Sequence, residues 1–242
     1  MKLIKLGAID STNEFLKGLS NKQQLENFTV VTADSQTKGK GQMGAVWSSE
    51  PSKNLIMSLL VKDFLKDIYD IFNLNSIVSL AVIEALELHN IPNLSIKWPN
   101  DIMSYNKKIG GILIENVIKS DGTIHSIVGL GLNVNQTNFE MLPKASSLAV
   151  ICDVLFDKEE ILYSICDAME KKVKACKLDT TTLLEEYSFK LYKKGIPMPF
   201  SDQNKQNFMG IIQGVSSIGM LQVLLEDDSI REFDIKEIQM LY

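Results

Sequence analysis

Residues 94–134 read LSIKWPNDIMSYNKKIGGILIENVIKSDGTIHSIVGLGLNV, and the punctuation of this stretch decides the fold. Leu94 to Trp98, Ile102 to Tyr105, Ile109 to Ile118 and Thr123 to Val134 are short apolar runs rich in Ile and Val, the composition of strands. Asn106-Lys107 and Ser120-Asp121-Gly122 stand between them, residue types that reverse a chain within two or three positions. Connections that short join antiparallel neighbours, so a largely antiparallel sheet is expected.

Working upstream, Ile68 to His89 carries apolar residues at i, i+3 and i+4, the pattern of a core helix. Asn54 to Val61 and Phe28 to Ala33 read as strands, the latter running into a polar, glycine-rich loop from Asp34 to Gly44. Asp10-Ser11-Thr12-Asn13-Glu14 has the capping-box form, with Ser11 three residues before Glu14 and Phe15, Leu16 and Leu19 following at helical spacing. A short helix is expected there. Downstream of Pro143, helices are predicted over about Lys158 to Cys176 and Thr181 to Tyr192, ending at Lys193-Lys194-Gly195 with Pro197 and Pro199 behind. That cluster marks a domain boundary. From Asn207 come short strands around Gly210, Gly214 and Gly219, alternation through Leu221 to Leu225, and a last strand through Phe233 and Ile238, which suggest a small five-stranded barrel. The expected class is α+β, with one domain over 1–194 and a small β-barrel over 195–242, and no internal repeat.

Composition narrows the function. The chain has 242 residues, 45% of them hydrophobic and 23% charged, which excludes disordered and low-complexity classes. Ile77 to Leu88 is interrupted by Ser79, Glu84 and Glu87, so no membrane span is expected, and Met1 to Ile9 has no export-signal pattern. A cytoplasmic protein is the expectation. A net charge of -5 has the wrong sign for broad phosphate-backbone binding, which makes nucleic acid an unexpected partner. Arg231 is the only arginine, so an anion must be met by lysine point charges and backbone N–H groups. Cys152, Cys166 and Cys176 form no C-x-x-C pair, and His89 and His125 have no second histidine at ligand spacing. No metal ligands are assigned.

Four stretches carry polar groups or bare backbone where a ligand could be read. Gly39-Lys40-Gly41-Gln42-Met43-Gly44 fits G-x-G-x-x-G, and with Val46 also the kinase form. A dinucleotide site needs a helix next, and Trp47-Ser48-Ser49-Glu50-Pro51-Ser52 cannot open one. A kinase needs His-Arg-Asp and Asp-Phe-Gly, and neither tripeptide exists. What survives is a backbone that can approach a phosphate closely, with the charge of Lys40 beside it; a plain hairpin loop is the alternative. In KWPND, at 97–101, Pro99 fixes a turn at a strand end and presents Lys97, Asn100 and Asp101 together. In KKIGGILIE, at 107–115, a lysine pair precedes two glycines that permit close approach to the strand, and GLGLNVN at 129–135 repeats the theme.

Together and in this order, DSTN at 10–13, Gln36 with the Gly39–Gly44 loop and Trp47, KWPND, KKIGGILIE and GLGLNVN resemble the biotin protein ligases, strongly over about residues 8 to 150. The resemblance implies a catalytic core similar to that of class II aminoacyl-tRNA synthetases and a terminal SH3-like barrel. It implies two steps: biotin and Mg-ATP give biotinyl-5′-AMP, and a lysine of a biotin carboxyl carrier protein then takes the biotinyl group. By resemblance, Ser11, Thr12, Asn13 and Gln36 would hold the ureido ring, and Gly39, Lys40, Gly41 and Gln42 would close over biotin and phosphate, with Lys108 and Gly111 completing the biotin site. Gly39, Lys40, Gln42, Trp47, Lys97, Asn100, Lys108 and Asn133 would serve the nucleotide, Trp47 by stacking and the asparagines through their amides.

Lys108 and Lys40 are the expected catalytic cations, because the family's G-R-G-R-x-G-R loop has here Lys40, Gln42 and Ala45 in place of its arginines. A helix starting near residue 11 leaves no room for the DNA-binding domain of bifunctional relatives, so modification without DNA binding is expected. A lipoate or octanoate ligase of the same fold and a non-catalytic biotin sensor are the alternative readings. An exposed strand edge suits both the carrier and a homodimer.

Overall fold

The computed structural model describes residues 1–67, 70–175 and 180–242. The expected helix start at Ile68 and Cys176 lie outside the described residues. Seven strands form one sheet: β1 (Leu3–Ile9), β2 (Val30–Gln36), β3 (Leu55–Lys62), β4 (Leu94–Lys97), β5 (Asp101–Ser104), β6 (Lys107–Ile118) and β7 (Ile124–Leu132). Their order is β1-β2-β3-β7-β6-β5-β4. β1 runs parallel to β2, and the other neighbours are antiparallel. The hairpins read from residues 94–134 are present and supply four of the seven strands.

Helix α1 (Thr12–Lys22) covers one face, burying Leu16 with Val31, Leu60 and Ile127. Helices α2 (Ile71–Leu88), α4 (Lys158–Ala175) and α5 (Thr180–Phe189) occupy the other, and a short α3 (Leu148–Cys152) follows the loop after β7. α2 is apolar nearly all round, as a helix at the centre of a core must be. With mean hydropathy 1.5 over 18 residues it could cross a bilayer by length and composition, but 72% of it is buried inside the protein. The core helix expected within Ile68 to His89 is therefore present, over Ile71–Leu88. Cys152 and Cys166 are free thiols, and burial pushes Cys166 up to about 12.

A second sheet follows, β8 (Pro197–Asp202), β9 (Asn207–Val215), β10 (Leu221–Leu225), β11 (Ile230–Phe233) and β12 (Ile238–Met240), in the order β11-β10-β9-β8-β12. Two details differ from the sequence reading. The last strand is two strands, separated by the turn at 234–237, and Pro197 and Pro199 lie inside β8 instead of merely ending a helix. Prolines fit there because β12 pairs with β8 only from Phe200 to Asp202, so no donor is required of either ring nitrogen on that side.

The small sheet shares a core with the large one. Phe200, Leu221, Val223 and Phe233 belong to the same buried cluster as Leu74, Ile96 and Trp98. Between the sheets, Tyr192 N donates to Ile96 O at 2.8 Å and Trp98 Nε1 donates to Gly219 O at 2.9 Å. Tyr187, fully buried, donates its hydroxyl to Pro99 O at 2.9 Å, and Asn75 Nδ2 donates to the same carbonyl at 2.8 Å. Burial pushes the Tyr187 phenol well above its ordinary range, so it remains a donor at any physiological pH. Tyr187→Phe should lower the unfolding free energy by about 1 kcal/mol, read from the urea midpoint, because Pro99 O keeps Asn75 and only one bond is lost.

Candidate active site

On the α1 face, alternate residues of three strands stand side by side: Ile56 and Ser58 of β3, Gly131 and Gly129 of β7, Gly111 and Leu113 of β6. Where this row carries Leu60 and Ile127, α1 packs on it. Where it carries glycines, the sheet has no side chains to fill the space, and a cavity of about 220 Å³ opens beside the first turn of the helix.

The end over Gly129 is polar. Ser11 Oγ caps α1 by accepting from Glu14 N at 3.4 Å. Thr12 N donates to Gln36 Oε1 at 2.8 Å, and the Thr12 hydroxyl lies 3.0 Å from the same oxygen. Asn13 Nδ2 donates to Glu115 Oε2 at 2.8 Å. Ser58 Oγ, fully buried, lies 2.6 Å from Asn13 Oδ1 and 2.8 Å from Thr12 Oγ1. Asn13 can rest on the sheet only because residue 129 is glycine: a Cβ there would stand 2.5 Å from Asn13 Oδ1. The second half of the expected capping box does not form. The Glu14 carboxylate instead accepts from Lys40 Nζ at 2.7 Å, which holds Glu14 below its usual range and raises Lys40.

Over Gly131 lies Trp47. The glycine loop is a tight hairpin, with Gly41 N donating to Ala45 O at 2.7 Å and Trp47 N to Gly39 O at 3.0 Å, closed by a 3-10 turn over Gln42–Gly44. The hairpin form is the alternative that the sequence allowed; its backbone pairs across itself because Gly39 lets the two arms approach, a Cβ there standing 2.3 Å from Trp47 O. The indole that the hairpin delivers lies against the sheet so closely that a Cβ on Gly131 would be 2.4 Å from the ring. Trp47 Nε1 is buried without a hydrogen-bond partner, an orphaned donor at the cavity wall.

Over Gly111 lies Lys108. Residues i and i+3 of a regular strand face opposite sides, but Ile102 pairs with Gly110 and Met103 with Lys108, leaving Ile109 as an extra residue. This β-bulge turns Lys108 to the side of Gly111, where its Nζ is 3.4 Å from the position of a Cβ. Asp101 Oδ1 holds that ammonium at 2.6 Å, and Asp101 Oδ2 has Lys97 Nζ at 3.5 Å. Asn100 fixes the KWPND turn through Nδ2 to Ile112 O at 2.6 Å, with Ile112 N returning to Asn100 O at 3.0 Å.

Ser11, Thr12, Asn13, Gln36, Lys40, Gly41, Gln42, Trp47, Asn100, Lys108 and Gly111 line this one cavity. Gly39, Lys97 and Asn133 do not line it. Gly39 shapes the hairpin behind Trp47, Lys97 reaches Asp101 and the Tyr242 ring, 5.2 Å to its centroid, and Asn133 is buried with Nδ2 donating to Ser146 O at 3.0 Å. Asp101, Glu115, Gly129 and Gly131 lie in the quoted motifs but were given no ligand role of their own, and Ser58 lies outside all of them. A signal existed for two of them, since Gly129 and Gly131 stand two apart in a strand and so bare one face, and for Ser58, the single polar residue inside LIMSLLV. Among the described residues no group of three His, Cys, Asp or Glu side chains converges to hold a metal.

Comparison with known proteins adds the following. The model of the biotin/lipoate A/B protein ligase family matches residues 6–133. The chain is 32% identical over 174 residues to the bifunctional ligase/repressor BirA of Bacillus spizizenii, covering 70% of this chain and 53% of that protein. It is 25% identical over 195 residues to the biotin–[acetyl-CoA-carboxylase] ligase of Mycobacterium tuberculosis, covering 79% and 71%. Among solved structures, it is similar to the biotin protein ligase of Aquifex aeolicus in complex with biotin and ATP, with a TM-score of 0.82, 29% identity and coverage of 99% and 98%. The chain spans about half the length of the first curated relatives it matches.

Proposed function

The chain belongs to the biotin/lipoate A/B protein ligase family, and on that footing we propose that it is an ATP-dependent biotin protein ligase that acts on a lysine of a biotin carboxyl carrier protein. The observation that carries this reading is the order of groups along the glycine lane: a hydroxyl and amide cluster over Gly129, an aromatic plate over Gly131, and a half-buried ammonium over Gly111. That order suits a ligand with a polar ring at one end and a carboxylate at the other.

In this reading Ser11, Thr12 and Gln36 bind the ureido ring, whose burial needs such partners to offset lost hydration. Lys108 meets the carboxylate. One carboxylate oxygen attacks the α-phosphorus of ATP, the bond to the β-phosphate oxygen breaks and pyrophosphate leaves. Both reactants are anions, and Lys108 lowers their repulsion as charge gathers on the α-phosphate. The Trp47 indole takes the adenine, and its orphaned Nε1 gains an acceptor. In the second step the carrier amine attacks the acyl carbon, AMP leaves with the electron pair of the anhydride bond, and the nitrogen gives up a proton. Mg²⁺ belongs to the substrate Mg-ATP, where phosphate oxygens supply most of its shell. The Asp101 carboxylate is already shared by two lysines, so no protein-borne metal step is derived. β1 ends its sheet with one side unpaired by any described strand, an edge suited to docking the carrier.

The test supplies biotin or lipoate with Mg-ATP and labelled pyrophosphate, then adds an apo carrier domain. Biotin-dependent exchange followed by a biotinylated lysine is expected. Exchange driven by lipoate alone, or biotin binding without turnover, would replace this reading by a lipoate ligase or a sensor.

A further inference from the structure

Four side chains run from the cavity into the protein in single file: Thr12, Ser58, Asn13 and Glu115. Their chemistry gives the chain a direction. A carboxylate only accepts, so the Asn13 amide must turn Nδ2 toward Glu115, at 2.8 Å, and therefore Oδ1 toward Ser58, at 2.6 Å. An amide oxygen also only accepts, and Ser58 has one proton, which the shorter contact takes. The Ser58 oxygen is then left to accept the Thr12 proton at their 2.8 Å contact, while Gln36 Oε1, 3.0 Å from the hydroxyl, accepts from Thr12 N at 2.8 Å. The Thr12 proton is therefore spent inside the protein, on Ser58. Thr12 Oγ1 faces the cavity with lone pairs alone.

We propose that Glu115, which touches no ligand, is a positioning residue that sets the hydrogen-bond polarity of the cavity's inner end by way of Asn13 and Ser58. Each donor in the file points toward one anion, and hydrogen bonds in such a series polarise one another, so the Thr12 oxygen is made a stronger acceptor than a lone hydroxyl. The group it selects is an N–H donor on the ligand. The inference rests on the reading that this end takes a cyclic urea, and it adds to that reading the reason why a ring N–H is preferred over an oxygen or methylated nitrogen at the same place. Ser58 is fully buried, and Glu115 is partly buried with Asn13 of α1 on its carboxylate.

Glu115→Gln removes the charge and lets the Asn13 amide turn over without changing size. Calorimetric titration should show biotin affinity lowered about tenfold, the scale of one charge-supported hydrogen bond lost. ATP affinity and kcat at saturating biotin should be unchanged, and Glu115→Asp should recover part of the loss. Biotin analogues methylated at one or other ureido nitrogen separate polarity from mere support. For the analogue whose methyl replaces the N–H at Thr12, wild type and Glu115→Gln should bind alike, whereas a purely structural defect would weaken both analogues as much as biotin. Ser58→Ala, which cuts the same file, should repeat this pattern if it folds. Unchanged biotin affinity in Glu115→Gln, or an equal loss for both analogues, overturns the polarity role alone. A wild-type protein that binds no biotin overturns the functional reading and this inference with it.

Discussion

Lys108→Ala is expected to slow biotin-dependent pyrophosphate exchange by about a hundredfold or more, the cost of deleting one preorganised electrostatic group from a water-poor site. The expectation follows from where the bulge at Ile109 puts the side chain. Its ammonium is held by Asp101 at 2.6 Å above a residue with no side chain of its own, so little reorganisation is needed when two anions arrive. A unit charge 4 Å from another contributes roughly 4 kcal/mol at an effective dielectric near 20, and in the proposed reaction Lys108 would face a carboxylate and a phosphate together. Lys40 is placed differently. It is exposed at the rim against Glu14, whereas Lys108 is half-buried beside Gly111. Steady-state exchange should separate the two views: if Lys108→Ala exchanges at the wild-type rate, the chemistry is carried elsewhere, and the reading of the cavity's cation end falls.

Gly219→Ala is the second large effect, and it acts on stability. Gly219 has φ +87°, where a side chain strains the backbone, and its Cβ would stand 2.2 to 2.7 Å from three atoms of the Phe72 ring. Left-handed strain and overpacking each cost about 1 to 3 kcal/mol, so a loss of roughly 3 kcal/mol is expected. Phe72 cannot yield freely, because it packs edge-on against the buried Tyr187 ring at 5.2 Å between centroids. The same residue accepts the Trp98 indole N–H from the KWPND turn. Urea unfolding should therefore show a lowered midpoint, and biotin binding should weaken as well if the turn shifts. A midpoint within 0.2 M of wild type would mean that the two sheets are joined less tightly than this contact implies.

How much of this was legible in the sequence differs by element. The hairpins of residues 94–134 were, because each is closed by a local turn and each strand finds its partner within a few residues. β1 was not, because Leu3–Ile9 mixes lysine and glycine with its apolar residues and pairs in parallel with a strand more than twenty positions away. β8 was hidden by two prolines that the short pairing of β12 tolerates. In the site, motif residues such as Thr12, Trp47 and Lys108 could be named from their neighbours in sequence. Ser58 and Glu115 could not be tied to Thr12 and Asn13, since their contacts join positions 45 to 102 residues apart. The irregularity at Ile109 was equally invisible, since a bulge exists only relative to the partner strand.

That single surplus residue works as a parity bit for the sheet. Downstream of it, Gly111, Leu113 and Glu115 keep the ordinary odd-numbered alternation, while upstream an even-numbered lysine is admitted to the same side. Were the strand regular through Ile109, the motif would keep every letter and its charge would fall in the opposite layer, among the core helices.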